Sequence, residues 1–302
     1  MAKASTFSAN AKKELCKKPP ERRCCAVAEA YGVLLFSNSF SLTSIRVVTE
    51  NTDFSERLPV LFEMAFGGAV RMEKNDSGVK NVFSITDRRS IETVFETVSA
   101  VPKMSVATHL NYAVLEEDHC RASFLRGAFL AGGYVANPES GYHMELVTTH
   151  YNVCREICTL MGEMDLEPKD TVRKSNYVIY FKNSGKIEDF LTLTGAPLSA
   201  LEIMSAKVLK DVRNEMNRKV NCDLANTDKT VEAAQTQILA IRSIETRRGL
   251  DSLGPKLMQT AILRMENPEA TLTELCGMFD PPLTKSCLNH RLRKIVELSG
   301  GN

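Results

Sequence analysis

The sequence predicts an α+β fold in which an αββαββα unit is used twice about a pseudo-twofold axis, followed by an all-α linker and a C-terminal helix-turn-helix. Three observations carry this. The chain aligns with itself at an offset of about 95 to 99 residues. Strand signals stop near Ala200, and beyond Pro255 three short helical segments end in a basic one. The expected organisation is a duplicated domain at residues 21–200 (repeats about 22–101 and 120–199), a helical linker at 201–250 and a helix-turn-helix module at 251–302.

The copies are visible segment by segment. Ala30–Asn38 (AYGVLLFSN) falls on Leu125–Gly133 (LRGAFLAGG), Val47–Leu61 on Leu146–Leu160, and Val82–Phe95 on Val178–Leu191. Each copy reads as an apolar helix, a strand such as Ser44–Glu50 or His143–Thr149, a helix, further strands, and a closing helix such as Ser90–Ser99 or Lys186–Leu193. The turn at Asn137-Pro138-Glu139-Ser140-Gly141 accounts for the change in offset, because a Pro/Gly-rich turn is where a loop grows. Ala100–Asp118 is the expected connection. Small residues at i, i+4 spacing, Ala28 and Gly32 in one copy and Gly127 and Ala131 in the other, fit two helices that approach closely.

Past Ala200 the pattern becomes helical. Leu201–Val220 is one expected helix. A second runs from an N-cap at Thr227 to Arg248, with Val231, Ala234, Ile238, Ile241 and Ile244 as its apolar stripe and Arg242, Arg247 and Arg248 on its solvated side.

Composition bounds the chemistry. The 302 residues are 43% hydrophobic, and 38 basic side chains nearly cancel 37 acidic ones, so a nucleic-acid surface must come from local clustering. The nine cysteines (16, 24, 25, 120, 154, 158, 222, 276 and 287) are odd in number and lack secreted-scaffold spacing. With no signal-like leader and no apolar run of roughly 20 residues, a soluble protein of the reducing cytoplasm is expected. His150, Cys154 and Cys158 at i, i+4, i+8 could face a metal, but Val153, Ile157 and Leu160 beside them favour a buried helix carrying thiols. Cys24 and Cys25 are read the same way, as neighbours that point to different sides of a helix. No metal, cofactor or small-molecule substrate is expected.

The tail carries the clearest functional signal. Pro255 suits a first helical position for Lys256–Met265, which stops before Asn267-Pro268. Thr271-Leu272-Thr273-Glu274 is a capping box opening a short helix, Leu272–Phe279. After the Asp280-Pro281-Pro282 turn, Thr284 begins a third helix to about Leu298. In a helix-turn-helix the helix after the turn enters the major groove. From Thr284 to Lys294 no acid occurs, and Thr284, Lys285, Ser286, Asn289, His290, Arg291, Arg293 and Lys294 are the candidate DNA-binding residues. Arg and Lys reach guanine edges or phosphates, Asn reaches adenine, and Ser or Thr at the helix start reaches a phosphate. Leu288, Leu292 and Ile295 anchor the other face. A protein-binding helical module with a merely solvated basic face is the alternative.

FLRGAFLAGGYV at Phe124–Val135 resembles the LAGLIDADG helix of homing endonucleases, with Leu125, Gly127, Ala131 and Gly133 on the motif's L, G, A and final G. The penultimate acid falls on Gly132, and its counterpart in the first copy is Ser37. Metal-assisted phosphodiester cleavage needs carboxylates to hold cations beside the phosphate. Neither residue supplies one, and Glu29 and Glu139 nearby are not equivalent positions, so a catalytic site is not expected. Basic residues on the strand regions (Arg46, Arg71, Lys74, Lys80, Arg88, Arg89, Lys169, Arg173, Lys174 and Lys182) could line a DNA saddle, but Glu50, Glu73, Asp76, Asp87, Glu167 and Asp170 intersperse them.

The runs TFSANAKKELC, FLRGAFLAGGYVANPESGYHMEL, VNCDLANTDKTVEAA, LDSLGPKLMQTAILRMENPEATLTEL and DPPLTKSCLNHRLRKI are similar to those of the WhiA family, over nearly the whole chain. Cys287-Leu288 departs from the family's Gly-Val, and a helix accepts both. The resemblance implies a bacterial transcription regulator with a degenerate LAGLIDADG-like domain and a tail similar to sigma-factor region 4, linked to sporulation, cell division and chromosome segregation. It implies a nucleoid-associated protein whose partners are double-stranded promoter DNA and another transcription factor or RNA polymerase. The alternative function is a structural docking protein whose duplicated domain makes protein contacts and whose DNA binding is weak.

Overall fold

The structure, a computed structural model, describes residues 6–77, 80–98 and 108–300. The chain divides into two compact units, one up to Lys210 and one from Asp211. The first holds helix α1 (Phe7–Lys17) and then the repeated order twice. Copy one is α2 (Arg23–Leu35), β1 (Ser39–Phe40), β2 (Ile45–Thr49), α3 (Thr52–Phe66), β3 (Glu73–Ser77), β4 (Lys80–Ile85) and α4 (Arg88–Val98). Copy two is α5 (Asp118–Gly132), β5 (Gly133–Val135), β6 (Met144–Thr148), α6 (Tyr151–Glu163), β7 (Lys169–Arg173), β8 (Asn176–Phe181) and α7 (Ser184–Thr194). The αββαββα order is the one the periodicity predicts. Of the expected connection Ala100–Asp118, residues up to 107 lie outside the described residues, as does the end of the first repeat; Tyr112–Leu115 form a 3-10 turn.

Each copy builds one four-stranded antiparallel sheet, in the order β1-β2-β4-β3 and β5-β6-β8-β7. Equivalent residues occupy equivalent registers: Val47 pairs with Phe83 in the first sheet, and Leu146 with Ile179 in the second. Strand alternation puts Ile45, Val47, Phe83 and Ile85 inside with Arg46 outside, and Met144, Leu146 and Phe181 inside with Glu145 and Tyr180 facing outward. One continuous core joins both copies.

The copies meet along α2 and α5. A Cβ on Gly32 would lie 2.1 Å from the Phe124 carbonyl oxygen and 2.8 Å from the Ala128 nitrogen. A Cβ on Gly127 would lie 2.0 Å from the Glu29 carbonyl oxygen and 3.1 Å from the Val33 nitrogen. The two sets are equivalent under the internal repeat, so each helix presents its glycine to the other's backbone at the same point. Tyr31 and Phe124, also equivalent to within one turn, pack with ring centroids 5.5 Å apart. No side chain other than hydrogen permits this approach.

Three expectations about the following helices fail. α8 (Pro197–Arg248) is one helix of 52 residues rather than two. Thr227 is not an N-cap: its hydroxyl donates to the Asp223 carbonyl at 2.9 Å, the back-bond a mid-helix threonine makes. Val231, expected in the apolar stripe, is exposed, whereas Ala234, Ile241 and Ile244 are buried. At the start of α8, the Glu14 carboxylate accepts from the Leu198 and Ser199 backbone N–H groups at 2.7 and 2.9 Å, satisfying donors that a helix start leaves open. No helix among the described residues is long and apolar enough to cross a membrane.

The second unit ends in α9 (Pro255–Glu266), α10 (Leu272–Gly277) and α11 (Lys285–Gly300). The capping box is formed: Glu274 N–H donates to Thr271 Oγ1 at 3.3 Å and Thr271 N–H to Glu274 Oε2 at 2.8 Å. Leu275, Cys276, Phe279, Leu288 and Leu292 close one cluster, and Ile241, Ile244, Leu253, Ala261 and Ile295 another.

Gly32→Ala or Gly127→Ala should cost about 2 kcal/mol or more, because a methyl against backbone cannot be relieved by a rotamer change. Gly162→Ala in α6 has open space at its Cβ and should gain up to about 1 kcal/mol. Urea midpoints of the three variants test this, and equal effects at all three would refute the close approach.

Candidate nucleic-acid interface

An endonuclease of this shape would place its carboxylates where α2 and α5 end. Here the position is closed. A Cβ on Gly132 would meet the Phe36 ring at 2.8 Å and the Val147 carbonyl at 2.8 Å, so even a methyl does not fit. The Ser37 hydroxyl in the other copy is committed to backbone, with the Leu34 and Ser39 carbonyl oxygens at 2.7 and 3.1 Å. A cation stands beside them: Lys12 of α1 donates to the Leu130 carbonyl at 3.1 Å and lies 5.7 Å from the centre of the Phe129 ring. Burial holds its pKa down, near about 8.

Glu29, the nearest acid in the sequence, is sealed away. Its side chain is fully buried, and Arg57 grips both oxygens at 2.7 and 2.8 Å. Arg126, itself buried, adds a contact at 3.1 Å. The two guanidinium groups continue outward to the carbonyls of Cys16 (2.9 Å) and Thr194 (2.6 Å). One carboxylate between two arginines thus ties α1, α2, α3, α5 and α7, and no lone pair is left facing solvent for a metal. Glu139 is exposed in the Asn137–Gly141 turn.

The outward faces of the sheets are partly self-neutralised. In the second sheet Glu145 takes both Arg173 nitrogens at 2.8 and 3.1 Å and His143 Nε2 at 3.1 Å. Burial opposes its ionisation, but these hydrogen bonds outweigh it and hold its pKa below the usual carboxylate value. Lys80 pairs with Glu50 at 3.4 Å and Arg88 with Glu92 at 3.0 Å, and Lys182 lies over the Tyr180 ring. Of the acids expected among these cations, the side chain of Asp76 lies outside the described residues.

α11 is different. Thr284 sits at its start, where Oγ1 accepts from Cys287 N–H at 3.3 Å. Leu288, Leu292 and Ile295 are buried. At 100° per residue the opposite face carries Ser286, His290 and Arg293, with Asn289 and Lys285 on one flank and Lys294 on the other. Lys285, Ser286, His290, Arg293 and Lys294 are exposed and Asn289 half-buried. Arg291 stands apart from them, half-buried with its guanidinium 5.7 Å from the Phe279 ring centre. The structure therefore brings Ser286, Asn289, His290, Arg293 and Lys294 to one side, leaves Thr284 and Lys285 exposed at the helix start, and places Arg291 against the domain's own core. Sequence reasoning missed Arg264. It is 2% exposed and donates to Gln237 Oε1 at 3.0 Å and to the Ala270 carbonyl at 2.5 Å, fixing the start of the α10 segment. Its only sequence signal is its place three residues after Ala261 on the inner face of α9.

Comparison with known proteins agrees with this layout. Residues 216–299 match the WhiA C-terminal HTH domain and residues 121–213 the WhiA LAGLIDADG-like domain. A protein of Clostridium botulinum called "Probable cell division protein WhiA" is 33% identical over 97% of this chain and 98% of its own length. The chain belongs to the WhiA family. Another WhiA of the same description, from Ruminiclostridium cellulolyticum, is 36% identical over 97% of each chain. Among solved structures, full-length DUF199/WhiA from Thermotoga maritima aligns with a TM-score of 0.60 at 23% identity, over 98% of this chain and 99% of that one. The isolated N-terminal LAGLIDADG domain of DUF199/WhiA gives 0.50 at 18%, over 65% of this chain and 93% of that one. These likenesses establish the WhiA fold.

Glu29→Gln leaves two arginines buried around a neutral group and should cost about 3–5 kcal/mol of stability. Chemical denaturation measures it; a loss below about 1 kcal/mol would mean that the triad is not the buried brace described.

Proposed function

We propose that this WhiA-family protein is a sequence-specific DNA-binding transcription regulator of cell division, chromosome segregation or sporulation, acting without DNA cleavage. The observation that carries the reading is the exposed face of α11, where Ser286, Asn289, His290, Arg293 and Lys294 lie together over a helix half that contains no acid. Such a face meets phosphates for affinity and base edges for sequence. In this reading Thr284, Lys285, Ser286, Asn289, His290, Arg293 and Lys294 contact promoter DNA, and Arg291 holds the helix against Phe279. The boundaries 21–200, 201–250 and 251–302 then separate scaffold, linker and reader. In this reading the protein acts in the cytoplasm at the nucleoid, with RNA polymerase or a second transcription factor as the partner class.

The non-catalytic reading is supported by the closed Gly132 position and by Lys12 beside it, since a divalent cation needs anionic oxygen and is repelled by an ammonium group. A second reading, the docking platform, is favoured by Glu145 with its bound Arg173 on the outer sheet face, which offers a phosphate backbone little net attraction.

Arg293→Ala should weaken binding to target DNA by about 1–3 kcal/mol if it reads a base, or lower the salt slope by about one if it meets a phosphate. Arg291→Ala should act first on the melting of the second unit. Fluorescence titrations across a salt series, with thermal melts alongside, separate the two. Unchanged affinity and salt slope for Arg293→Ala would remove α11 from the mechanism.

A further inference from the structure

At the opposite ends of the paired helices, the chain gathers sulfur and nitrogen. α2 begins at Arg23 and α5 at Asp118, and neither has a side-chain cap on its first turn. Immediately inside these starts stand Cys24-Cys25 and His119-Cys120, which the internal repeat superposes pairwise, Cys24 on His119 and Cys25 on Cys120. Cys24 is exposed and Cys25 buried, as neighbours on different sides of a helix are, yet both sulfurs reach the same histidine. Donor atoms of Cys24, Cys25 and His119 all lie within 4.8 Å of one another, and Cys24 Sγ is 3.5 Å from His119 Nε2. Cys120, the next residue of α5, is buried beside this group, and burial first and the neighbouring Cys24 second push its thiol pKa up. His150, Cys154 and Cys158 form no comparable group among the described residues; Cys154 is buried in the core and Cys158 packs against it.

We propose that Cys24, Cys25, His119 and Cys120 form a structural zinc site that clamps the N-terminal ends of α2 and α5, and so joins the two copies across their pseudo-twofold axis. Three thiolates and one imidazole are a donor set zinc takes up in closed tetrahedral sites. With zinc–sulfur bonds of about 2.3 Å, tetrahedral sulfurs stand about 3.7 Å apart, so Cys24, Cys25 and His119, whose donors lie within 4.8 Å of one another, need a contraction of about 1 Å, and Cys120 turns in beside them as the fourth ligand. Burial opposes ionisation of Cys120 and pushes its pKa up to about 12, so the metal itself must drive off that proton. Two helices start at the group, and a helix N-terminus favours a thiolate. Arg22 and Arg23 line the cavity of about 580 Å³ next to the group, and Lys18 and Arg126 line a smaller one against Cys25 and His119. Glu116 and Glu117 line the first cavity as well and Glu21 the second, so these cations answer nearby acids before the charge of the site. The ion releases the thiol protons on binding, and its binding energy becomes stability of the duplicated domain.

The location suits a clamp. The close approach at Gly32 and Gly127 fixes the middle of the helix pair, and Phe36 with Gly132 fills the far end. The four side chains stand at the near end, two from each copy.

The test uses the full chain purified with reductant and chelator, then titrated with cobalt(II) alone as the spectroscopic probe and with zinc as competitor. The expected result is a thiolate-to-cobalt charge-transfer band with tetrahedral d–d bands, saturating at one equivalent and bleached by zinc, and a rise in Tm of about 5–10 °C at zinc a hundredfold above its Kd. Cys25→Ser and His119→Ala should lose the bands and the Tm rise, and Cys154→Ser should keep both. His119→Cys, which exchanges nitrogen for a fourth sulfur, should keep the fold and strengthen the charge-transfer band. No charge-transfer band in the wild type, or a band unchanged in both His119 variants, would overturn the site; so would a reduced protein whose melting ignores zinc.

Discussion

The structure depends on the contact of two helix backbones at Gly32 and Gly127. Each glycine faces a carbonyl oxygen of the other helix at a distance that excludes a Cβ, and the internal repeat makes the two contacts equivalent. That contact sets where everything else falls. The sheets spread from the helix pair in matching registers, Phe36 is driven into the space beside Gly132, and Glu29 is carried between Arg57 and Arg126. Burial of three charges is tolerable only because each guanidinium also reaches a carbonyl at its outer end, so no charged nitrogen is stranded. In the proposed reading the LAGLIDADG-like domain serves as a solid scaffold, the far end of its paired helices filled by a phenyl ring, a lysine and backbone.

Much of this was legible in the sequence. The αββαββα order, the small residues of the paired helices, the Thr271–Glu274 capping box and the three tail helices all rest on local rules of periodicity, capping and turn chemistry, which residues a few positions apart decide. The loss of both acids, at Ser37 and Gly132, was readable for the same reason.

What was not legible depends on partners far away in sequence. Glu29 meets Arg57 and Arg126 at separations of 28 and 97 residues, and no local pattern says that these three converge. Thr227 looks like a helix start because threonine caps helices, yet its hydroxyl can equally return to the carbonyl four residues back, and the surrounding residues carry the helix through. Arg291 and Arg293 are indistinguishable as basic residues of one helix; only Phe279, arriving from before the turn, separates the one that packs from the one that faces out. Cys24 and Cys25 read as divergent neighbours, and became a cluster only when α5 brought His119 and Cys120 beside them.

The division of labour between an inert duplicated scaffold and a reading helix is the centre of the account. Genome-wide mapping of occupied sites in cells, comparing the intact protein with one carrying Arg293→Ala and Lys294→Ala at equal abundance, tests it most directly. Loss of discrete sites with the protein still folded is the predicted result. Retention of the same sites at the same occupancy would place DNA recognition elsewhere in the chain and contradict it.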